Sequence, residues 1–255
     1  NHSSTLSELN MHILILGATS AIAHAFAKRY AKEGDHVFTL MGRNLQSLNA
    51  CASELSALGN NVIYPIVVDF MNPSNVIHAI NESIKSVGSI DIAVLAQGSL
   101  SDQEKAKKDF QYLHEEFMLN AMSMIIPAQY IANHYKKNNS GILIGIGSVA
   151  GERGRKGNYA YGSAKSAVHT FLSGIRNDIG NEHIRIMTIK PGFVQTPMTS
   201  HLKQSPLFVK PDFIAKEIIR GIEQGQDVMY IPSYWRFIMM IIRALPEKIF
   251  MKLNI

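Results

Sequence analysis

The fold of this chain is decided by the stretch His12-Ile13-Leu14-Ile15-Leu16-Gly17-Ala18-Thr19-Ser20-Ala21-Ile22-Ala23. A short apolar run leads through a glycine turn into a residue pattern typical of a helix. In such a turn the backbone N–H groups and the helix N-terminus meet at one point, where they can hold a pyrophosphate. Gly17 is the only glycine in this stretch, so the turn taken alone fits an ordinary strand–helix connection equally well.

The rest of the chain repeats this alternation of short apolar runs and longer amphipathic segments. The predicted strands are His12–Leu16, Val37–Met41, Val62–Val67, Ile90–Leu95, Gly141–Ile146, Ile184–Ile189 and Val228–Ile231. The predicted helices are Ser20–Glu33, Leu45–Leu58, Pro73–Val87, Asp109–Lys136, Asn158–Gly180 and Asp212–Glu223. Strands nearly continuous in Val, Ile and Leu are typical of a parallel sheet covered on both faces. We therefore predict the α/β class: a single doubly wound, Rossmann-type parallel sheet of about seven strands with helices on both faces.

The composition is that of a globular protein and argues against several functional classes. Hydrophobic residues make up 46% and charged residues 18% of the 255 residues, which is enough to bury a core. The formal net charge is +5, but the Lys and Arg residues are scattered, so nucleic acid is not expected as a partner. Cys51 is the single cysteine and no two histidines stand within one helical turn, so neither a disulfide nor a metal site is expected.

The two ends of the chain differ from its centre. Residues 1–10 are polar, and we predict a tag or a disordered extension there. Residues 11–232 are predicted to form the Rossmann-type domain, and residues 233–255 an apolar and basic helical tail of the same domain. No apolar run reaches the ~20 residues that cross a bilayer. With no signal peptide visible, we expect a cytoplasmic protein.

Functional residues are expected directly after the strands, because ligands of such sheets bind beyond the carboxyl ends. Arg43 follows the second strand, where an Asp or Glu would bind a free ribose 2′-hydroxyl. A guanidinium pairs instead with a 2′-phosphate, which favours NADP(H) over NAD(H), unless Arg43 is simply solvated. Asp69, after the third strand, either holds the adenine edge or caps the helix that begins at Pro73.

Tyr161 and Lys165 stand four residues apart, on one face of a predicted helix. A free tyrosine has a pKa of about 10, too high for proton exchange at neutral pH. A nearby ammonium favours the phenolate, so we expect Lys165 to lower the pKa of Tyr161. Tyr159 has Ser163 at the same spacing and therefore lacks such a partner.

Three further polar residues stand near strand ends. Ser148 follows the fifth strand and lies thirteen residues before Tyr161, so its hydroxyl can hydrogen-bond a substrate carbonyl from the opposite side. Asn120 lies in the preceding long helix pattern. After the sixth strand, Pro191-Gly192 makes a turn, and the Thr196 hydroxyl is placed to meet an amide-bearing ring.

This set of residues resembles the short-chain dehydrogenase/reductase family from Met11 onward. The resemblance implies that Tyr161 is the general acid/base, that Ser148 orients the carbonyl, that Lys165 also contacts the nicotinamide ribose and that Asn120 holds a water in the proton relay. Two departures affect cofactor affinity: Ala21 and Ala23 in the glycine motif, and Leu95-Ala96-Gln97-Gly98 after the fourth strand. The cofactor contacts predicted for NADP(H) are Gly17, Thr19, Ser20, Ala21, Ile22, Arg43, Asp69, Gly98, Tyr161, Lys165, Pro191, Gly192, Val194 and Thr196.

Two segments are similar to a narrower group, the decaprenylphosphoryl-2-keto-erythro-pentose reductases. These are Ser148–Lys165, with its Gly-Glu-Arg-Gly-Arg-Lys-Gly-Asn insert, and the tail Trp235–Leu253. The resemblance implies hydride transfer from NADPH to a 2-keto pentose linked to a polyprenyl phosphate, as the second half of an arabinose-type epimerisation in cell-envelope polysaccharide synthesis. It also implies a separate flavin-dependent oxidase, which makes the keto sugar, as a partner.

The tail and the loops around the predicted site leave several partners open. Trp235–Ile255 has the apolar and basic composition of a segment at a membrane surface, here the inner face of the cell membrane, but a helix packed on its own domain or on a second subunit fits as well. Arg153, Arg155 and Lys156 either meet a substrate phosphate or form a solvated loop. We expect Pro197–Lys210 to be a mobile substrate lid.

Two other functions are compatible with the sequence. One is a reductase of a soluble carbonyl, such as a 3-oxoacyl thioester or a small ketone. The other is a non-catalytic NADP(H)-binding sensor or scaffold, suggested by the altered glycine motif; the intact set Asn120, Ser148, Tyr161 and Lys165 argues against it. A homo-oligomer packed through the Asp109–Lys136 and Asn158–Gly180 patterns is also left open.

Overall fold

The computed structural model describes residues 11–180, 182–200 and 205–253. The predicted extension at residues 1–10, the centre of the predicted lid at residues 201–204 and the last two residues of the tail lie outside the described residues.

Seven strands form one sheet, and every pair of neighbours is parallel. The strands are β1 (His12–Leu16), β2 (Val37–Gly42), β3 (Val62–Val67), β4 (Ile92–Leu95), β5 (Gly141–Ile146), β6 (Ile184–Pro191) and β7 (Val228–Ile231). Their spatial order is β3-β2-β1-β4-β5-β6-β7, so the chain reverses direction across the sheet between β1 and β4. This order confirms the predicted doubly wound, Rossmann-type sheet and places a ligand crevice where the order reverses.

Ten α-helices connect and cover these strands in the described residues. They are α1 (Ala21–Glu33), α2 (Leu45–Ser56), α3 (Pro73–Val87), α4 (Gln103–Ala106), α5 (Phe110–Phe117), α6 (Ser123–Asn138), α7 (Tyr159–Ile179), α8 (Pro211–Glu223), α9 (Trp235–Ala244) and α10 (Glu247–Phe250).

The sheet carries a hydrophobic layer on each face. Side chains alternate along a strand, so Ile13 and Ile15 of β1 pack towards α1, α2 and α8, while Leu14 and Leu16 pack towards α3, α6 and α7. All four side chains are fully buried. The two layers confirm that helices cover both faces, and they hold the strand ends of the predicted site in fixed positions.

The long helix predicted over Asp109–Lys136 is divided in the structure. A π-helical segment, Met118–Met122, separates α5 from α6. Pro127 lies inside α6, where it lacks an N–H group and its ring conflicts with the carbonyl of Ser123. A wider turn directly before that position relieves the conflict and contains Asn120. The prediction of one regular helix is therefore wrong at the turn that carries a candidate site residue.

The tail is helical, as predicted, and its inner side packs on the domain. Trp235 and Met239 of α9 are buried against Val149, which directly follows Ser148. Gly192 faces the Trp235 indole so closely that a Cβ atom there would lie 1.8 Å from Nε1. No helix in the described part of the chain is long and apolar enough to cross a membrane.

Candidate active site

The four predicted catalytic side chains converge at the carboxyl edge of the sheet. Ser148 follows β5 and begins the 3-10 turn Val149–Glu152. Tyr161 and Lys165 lie in the first two turns of α7. Asn120 approaches from the π-helical segment. The order of the elements therefore brings together residues that are up to 45 positions apart in the sequence.

The Tyr161 phenol lies against Ser148 and above Lys165. The Ser148 side chain lies near enough to the Tyr161 phenol to influence its pKa. Lys165 Nζ is 5.7 Å from the centroid of the Tyr161 ring. Burial raises the pKa of Tyr161 to about 12, and the nearby Ser148 hydroxyl opposes part of that rise. Tyr161 thus keeps its proton throughout the neutral range.

The expected lowering of the Tyr161 pKa by Lys165 is wrong in this structure. Lys165 is only 4% exposed and contacts two uncharged acceptors, Met124 Sδ and the Ile146 carbonyl, each at 3.3 Å. Burial lowers the pKa of Lys165 itself to about 8. Loss of water therefore governs both groups: it favours the neutral phenol and weakens the charge that was expected to ionise it.

Asn120 is fully buried and its amide is held on both sides. Its Oδ1 accepts a hydrogen bond from Ser99 N at 3.0 Å, and its Nδ2 donates to the Glu116 carbonyl at 3.0 Å and to Glu116 Oε2 at 3.2 Å. Gly98 lies between this amide and Lys165, since a Cβ atom there would be 2.7 Å from Asn120 Oδ1 and 3.4 Å from Lys165 Nζ. Asn120, Gly98 and Lys165 therefore border one narrow space.

Sequence reasoning missed two residues that support these side chains. Glu116 Oε2 also accepts hydrogen bonds from the hydroxyls of Ser99 and Ser101, each at 2.7 Å. His169 Nε2 accepts one from Ser148 N at 3.3 Å. A helical spacing of four was available as a signal for both, since Glu116 precedes Asn120 by four residues and His169 follows Lys165 by four.

The glycine turn after β1 lies at the point where the strand order reverses. Gly17 has φ +81°, and a Cβ atom there would lie 2.5 Å from Gln97 N. Thr19 is exposed, and the side chain of Ser20, the N-cap of α1, makes no capping hydrogen bond. Ala21 is half-buried, while Ile22 and Ala23 are buried in the core. The first turn of α1 thus keeps its polar side chains available for a ligand.

Arg43 and Asp69 follow β2 and β3, and both are exposed. Arg43 has no hydrogen bond or ion pair to another described residue, which leaves its guanidinium available. Asp69 Oδ1 accepts a hydrogen bond from Met71 N at 2.9 Å. The cap of α3 is Asn72, whose side chain accepts from Asn75 N, so the helix-capping alternative for Asp69 is wrong.

The turn after β6 packs against the tail. Pro191 and Val194 are buried, and Gly192 donates its N–H to the Ile231 carbonyl at 3.0 Å. Thr196 Oγ1 lies 3.3 Å from Thr199 Oγ1. The predicted lid starts at Pro197, and its far end is tied to this turn, because Gln195 N donates to the Val209 carbonyl at 2.9 Å.

The three basic residues of the loop before α7 differ in their contacts and in their burial. Arg153 donates to the carbonyls of Ile242 and Leu245, pairs with Glu247 at 2.7 Å and stacks on the Phe250 ring, so it holds the tail and belongs to neither predicted alternative. Arg155 is partly buried, and its Nε is buried without a partner. Burial alone lowers its pKa. Lys156 is exposed.

No group of three or more metal-ligating side chains is found among the described residues. The chemistry that this edge offers is therefore that of a phenol, a hydroxyl, an amide and an ammonium, beside a glycine turn at the strand reversal.

Comparisons with known proteins agree with this arrangement. The sequence model of short chain dehydrogenases matches residues 11–206. An uncharacterized oxidoreductase of Mycobacterium tuberculosis is 29% identical over 235 residues, which cover 92% of this chain and 94% of that protein. A short-chain type dehydrogenase/reductase from Mycobacterium ulcerans superposes with a TM-score of 0.80 at 18% identity, over 96% of this chain and 98% of its own. A short-chain dehydrogenase from Sphingobium yanoikuyae, solved in complex with NADPH, gives 0.77 at 19%, over 93% and 97%.

A Rossmann-type sheet with a tyrosine–lysine pair at its carboxyl edge defines the class of protein, an oxidoreductase. The chain belongs to the short chain dehydrogenase family. The solved structures, all below 25% identity, show that the fold is shared.

The pKa of Lys165 predicts an alkaline limit to carbonyl reduction. As the pH rises through about 8, Lys165 loses a positive charge that would offset the negative charge developing on Tyr161 during proton donation, so kcat/KM, which reports the free enzyme, is expected to fall about tenfold per pH unit. Tyr161, with a pKa of about 12, and His169, with a pKa of about 3, do not titrate in this range. A pH profile of kcat/KM that stays flat to pH 10 would contradict the assignment.

Proposed function

We propose that the chain is an NADP(H)-dependent carbonyl reductase in which Tyr161 donates the proton. The observation that carries this proposal is a Tyr161 phenol that stays protonated beside the Ser148 side chain. In reduction the carbonyl oxygen becomes an alkoxide, and a protonated phenol beside it supplies the missing proton. The Ser148 hydroxyl orients the same oxygen. When bound, the cofactor supplies the hydride that reaches the carbonyl carbon.

The chain's own groups fit a dinucleotide at the strand reversal. The open first turn of α1, with Thr19 and Ser20, offers donors for a pyrophosphate, and Gly17 and Gly98 keep space that a Cβ atom would fill. Lys165, next to Gly98, would contact the nicotinamide ribose and hold positive charge near the developing phenolate. Asn120 would hold a water that passes protons to this end of the site.

The preference for the 2′-phosphate rests on Arg43. Its guanidinium is exposed at the end of β2 and unpaired among the described residues, and neither Gly42 nor Asn44 beside it offers a carboxylate. Two parallel N–H groups bind a phosphate more strongly than a hydroxyl.

For the substrate we propose a keto sugar linked to a polyprenyl phosphate. The resemblance of Ser148–Lys165 to the keto-pentose reductases supports it, and so does Arg155. A partly buried guanidinium without an anionic partner is unfavourable, and a substrate phosphate would supply that partner. A flavin-dependent oxidase as a partner remains a prediction. A homo-oligomer packed through the Asp109–Lys136 and Asn158–Gly180 segments also remains a prediction.

We further propose that the outer face of the tail contacts an anionic membrane surface. Phe237, Met240 and Ile241 of α9 are 64%, 60% and 60% exposed, and their spacing places them on one side of the helix. Three basic residues of the tail are also exposed, Arg236 in α9, Lys248 in α10 and Lys252 after it. Their charge complements that of anionic headgroups. The opposite side, with Trp235 and Met239, is buried in the domain.

Tyr161→Phe separates an enzyme from a non-catalytic NADP(H) sensor. Without a proton donor, carbonyl reduction is expected to fall about a hundredfold to ten-thousandfold, while NADPH binding, followed by fluorescence, persists. Tyr159→Phe is the matched control, because Tyr159 is 45% exposed and has Ser163 rather than a lysine four residues later. If Tyr161→Phe retains its NADPH-consuming activity, the proposed chemistry is wrong.

Arg43→Asp is expected to reverse the choice of cofactor. Removing the guanidinium and adding a carboxylate should raise KM for NADPH about tenfold to a hundredfold and lower KM for NADH. Arg220→Asp, at an exposed arginine on α8, makes the same change of charge away from the site and should leave both values unchanged. Equal effects of the two variants would remove the support for NADP(H).

The membrane and substrate proposals are tested together with a triple variant, Phe237→Ser, Met240→Ser and Ile241→Ser. Deleting the whole tail is unsuitable, because it would expose the core around Trp235. We expect binding to phosphatidylglycerol vesicles to fall about tenfold and turnover of a prenyl-phosphate 2-keto-pentose to fall with it, while reduction of a small ketone persists.

The matched control is Val62→Ser, Tyr64→Ser and Val67→Ser, on exposed residues of the edge strand β3. Full activity on soluble ketones with no turnover of the prenyl-linked sugar by the unmodified chain would favour the soluble-carbonyl alternative.

A further inference from the structure

The catalytic face of α7 continues one turn beyond Lys165. Tyr161, Lys165 and His169 follow one another at a spacing of four residues. The His169 imidazole lies directly beneath the loop that carries Ser148. A Cβ atom on Gly147 would be 2.2 Å from His169 Nε2, and one on Gly151 would be 2.7 Å from its Cε1. The loop therefore has glycine on both sides of Ser148 because the imidazole fills that space.

The ring also holds the main chain of Ser148. Ser148 N donates to His169 Nε2 at 3.3 Å, so Nε2 is the acceptor and Nδ1 carries the proton of the neutral ring. Burial, aided by the charge of Lys190, lowers the pKa of His169 to about 3. His169 consequently stays neutral and remains an acceptor for Ser148 throughout the neutral range.

A buried carboxylate faces the other side of the ring. The Glu152 side chain is 5% exposed, and its Oε1 lies 3.8 Å from His169 Nδ1. Glu152 is held by Lys190 Nζ at 2.6 Å, by Tyr230 Oη at 3.0 Å and by Arg243 Nη1 at 3.3 Å. Burial raises the pKa of Glu152, but the hydrogen bond and charge of Lys190 outweigh it, and the net pKa is lowered. Glu152 is therefore an anion fixed from three elements of the fold.

We propose that His169 and Glu152 are positioning residues: His169 fixes the main chain of Ser148 from behind, and Glu152 holds the imidazole in the tautomer and orientation that this requires. The inference rests on the proposed role of Ser148. Neither residue meets the substrate, and neither transfers a proton.

The position of the Ser148 main chain matters because its hydroxyl has little other support. Ser148 Oγ accepts a hydrogen bond from Ala150 N at 3.1 Å, within the same loop, and lies near the Tyr161 phenol. A shift of the loop therefore moves the hydroxyl and the phenol contact together. A misplacement of about 1 Å in a reacting geometry costs about a hundredfold in rate. Most of the proposed cofactor contacts lie outside this loop, so we expect the binding of NADPH to be unaffected by its shift.

The test compares His169→Leu with His169→Gln. Leucine fills the space without an acceptor, whereas the glutamine amide oxygen can replace Nε2. We expect His169→Leu to lower kcat about tenfold to a hundredfold with KM for NADPH unchanged, and His169→Gln to restore most of kcat. The primary isotope effect with deuterated NADPH should increase in His169→Leu, because hydride transfer becomes slower. Glu152→Gln, which keeps an acceptor for Lys190 and Tyr230, should give a smaller loss of kcat.

His12→Leu is the matched control. His12 is a buried histidine at the start of β1, at the amino ends of the strands and away from the site, and its Nε2 is hydrogen-bonded to Thr39 Oγ1 at 2.9 Å. We expect this change to lower stability but not kcat. The inference is overturned if both His169→Leu and Glu152→Gln keep kcat within about twofold of the unmodified chain. If His169→Leu does not fold, Glu152→Gln alone decides by the same limit. An active Ser148→Ala would instead overturn the proposed function, so the two failures are distinguishable.

Discussion

The close approach of β1 to the chain that leaves β4 is the constraint on which the site depends. Gly17 turns at φ +81° directly against the backbone of Ala96 and Gln97, and no side chain fits between them. This contact lies where the strand order reverses, so it sets the width of the crevice in which a ligand of such a sheet binds. The first turn of α1 begins at one wall of the crevice. Gly98, next to Lys165 and Asn120, lines the other wall.

Burial then decides the charge state of the groups along that crevice. Lys165 has no carboxylate partner, only a thioether sulfur and a carbonyl oxygen, so its ammonium is disfavoured. The Tyr161 phenol is kept protonated by the same loss of water. The Tyr161 shift favours the protonated phenol, and a proton donor is what reduction of a carbonyl requires. The Lys165 shift acts the other way, because the neutral amine found above a pH of about 8 cannot stabilise the phenolate that proton donation leaves behind.

The sequence predicted the features that local spacing determines. Strand ends and helix periodicity were sufficient to place Ser148, Tyr161 and Lys165 together, because a parallel sheet gathers its carboxyl ends at one edge. The π-helical segment around Asn120 was not predicted, since it depends on Pro127 and on a partner, Ser99, twenty-one residues away. The pKa of Tyr161 was predicted in the wrong direction, because burial is a property of the packed chain. The bonds of Arg153 to residues about ninety positions later left no local signal.

The tail is connected to the loop that carries Ser148 by several side-chain contacts. Arg153 binds the carbonyls at the end of α9, and Glu152, the preceding residue, accepts a hydrogen bond from Arg243 of α9 at 3.3 Å. Trp235, at the start of the same helix, packs on Gly192 in the turn after β6. The helix α9 is therefore in contact with both sides of the crevice. In the function proposed above, the helix that would meet the lipid is therefore also bonded to the loop that carries Ser148.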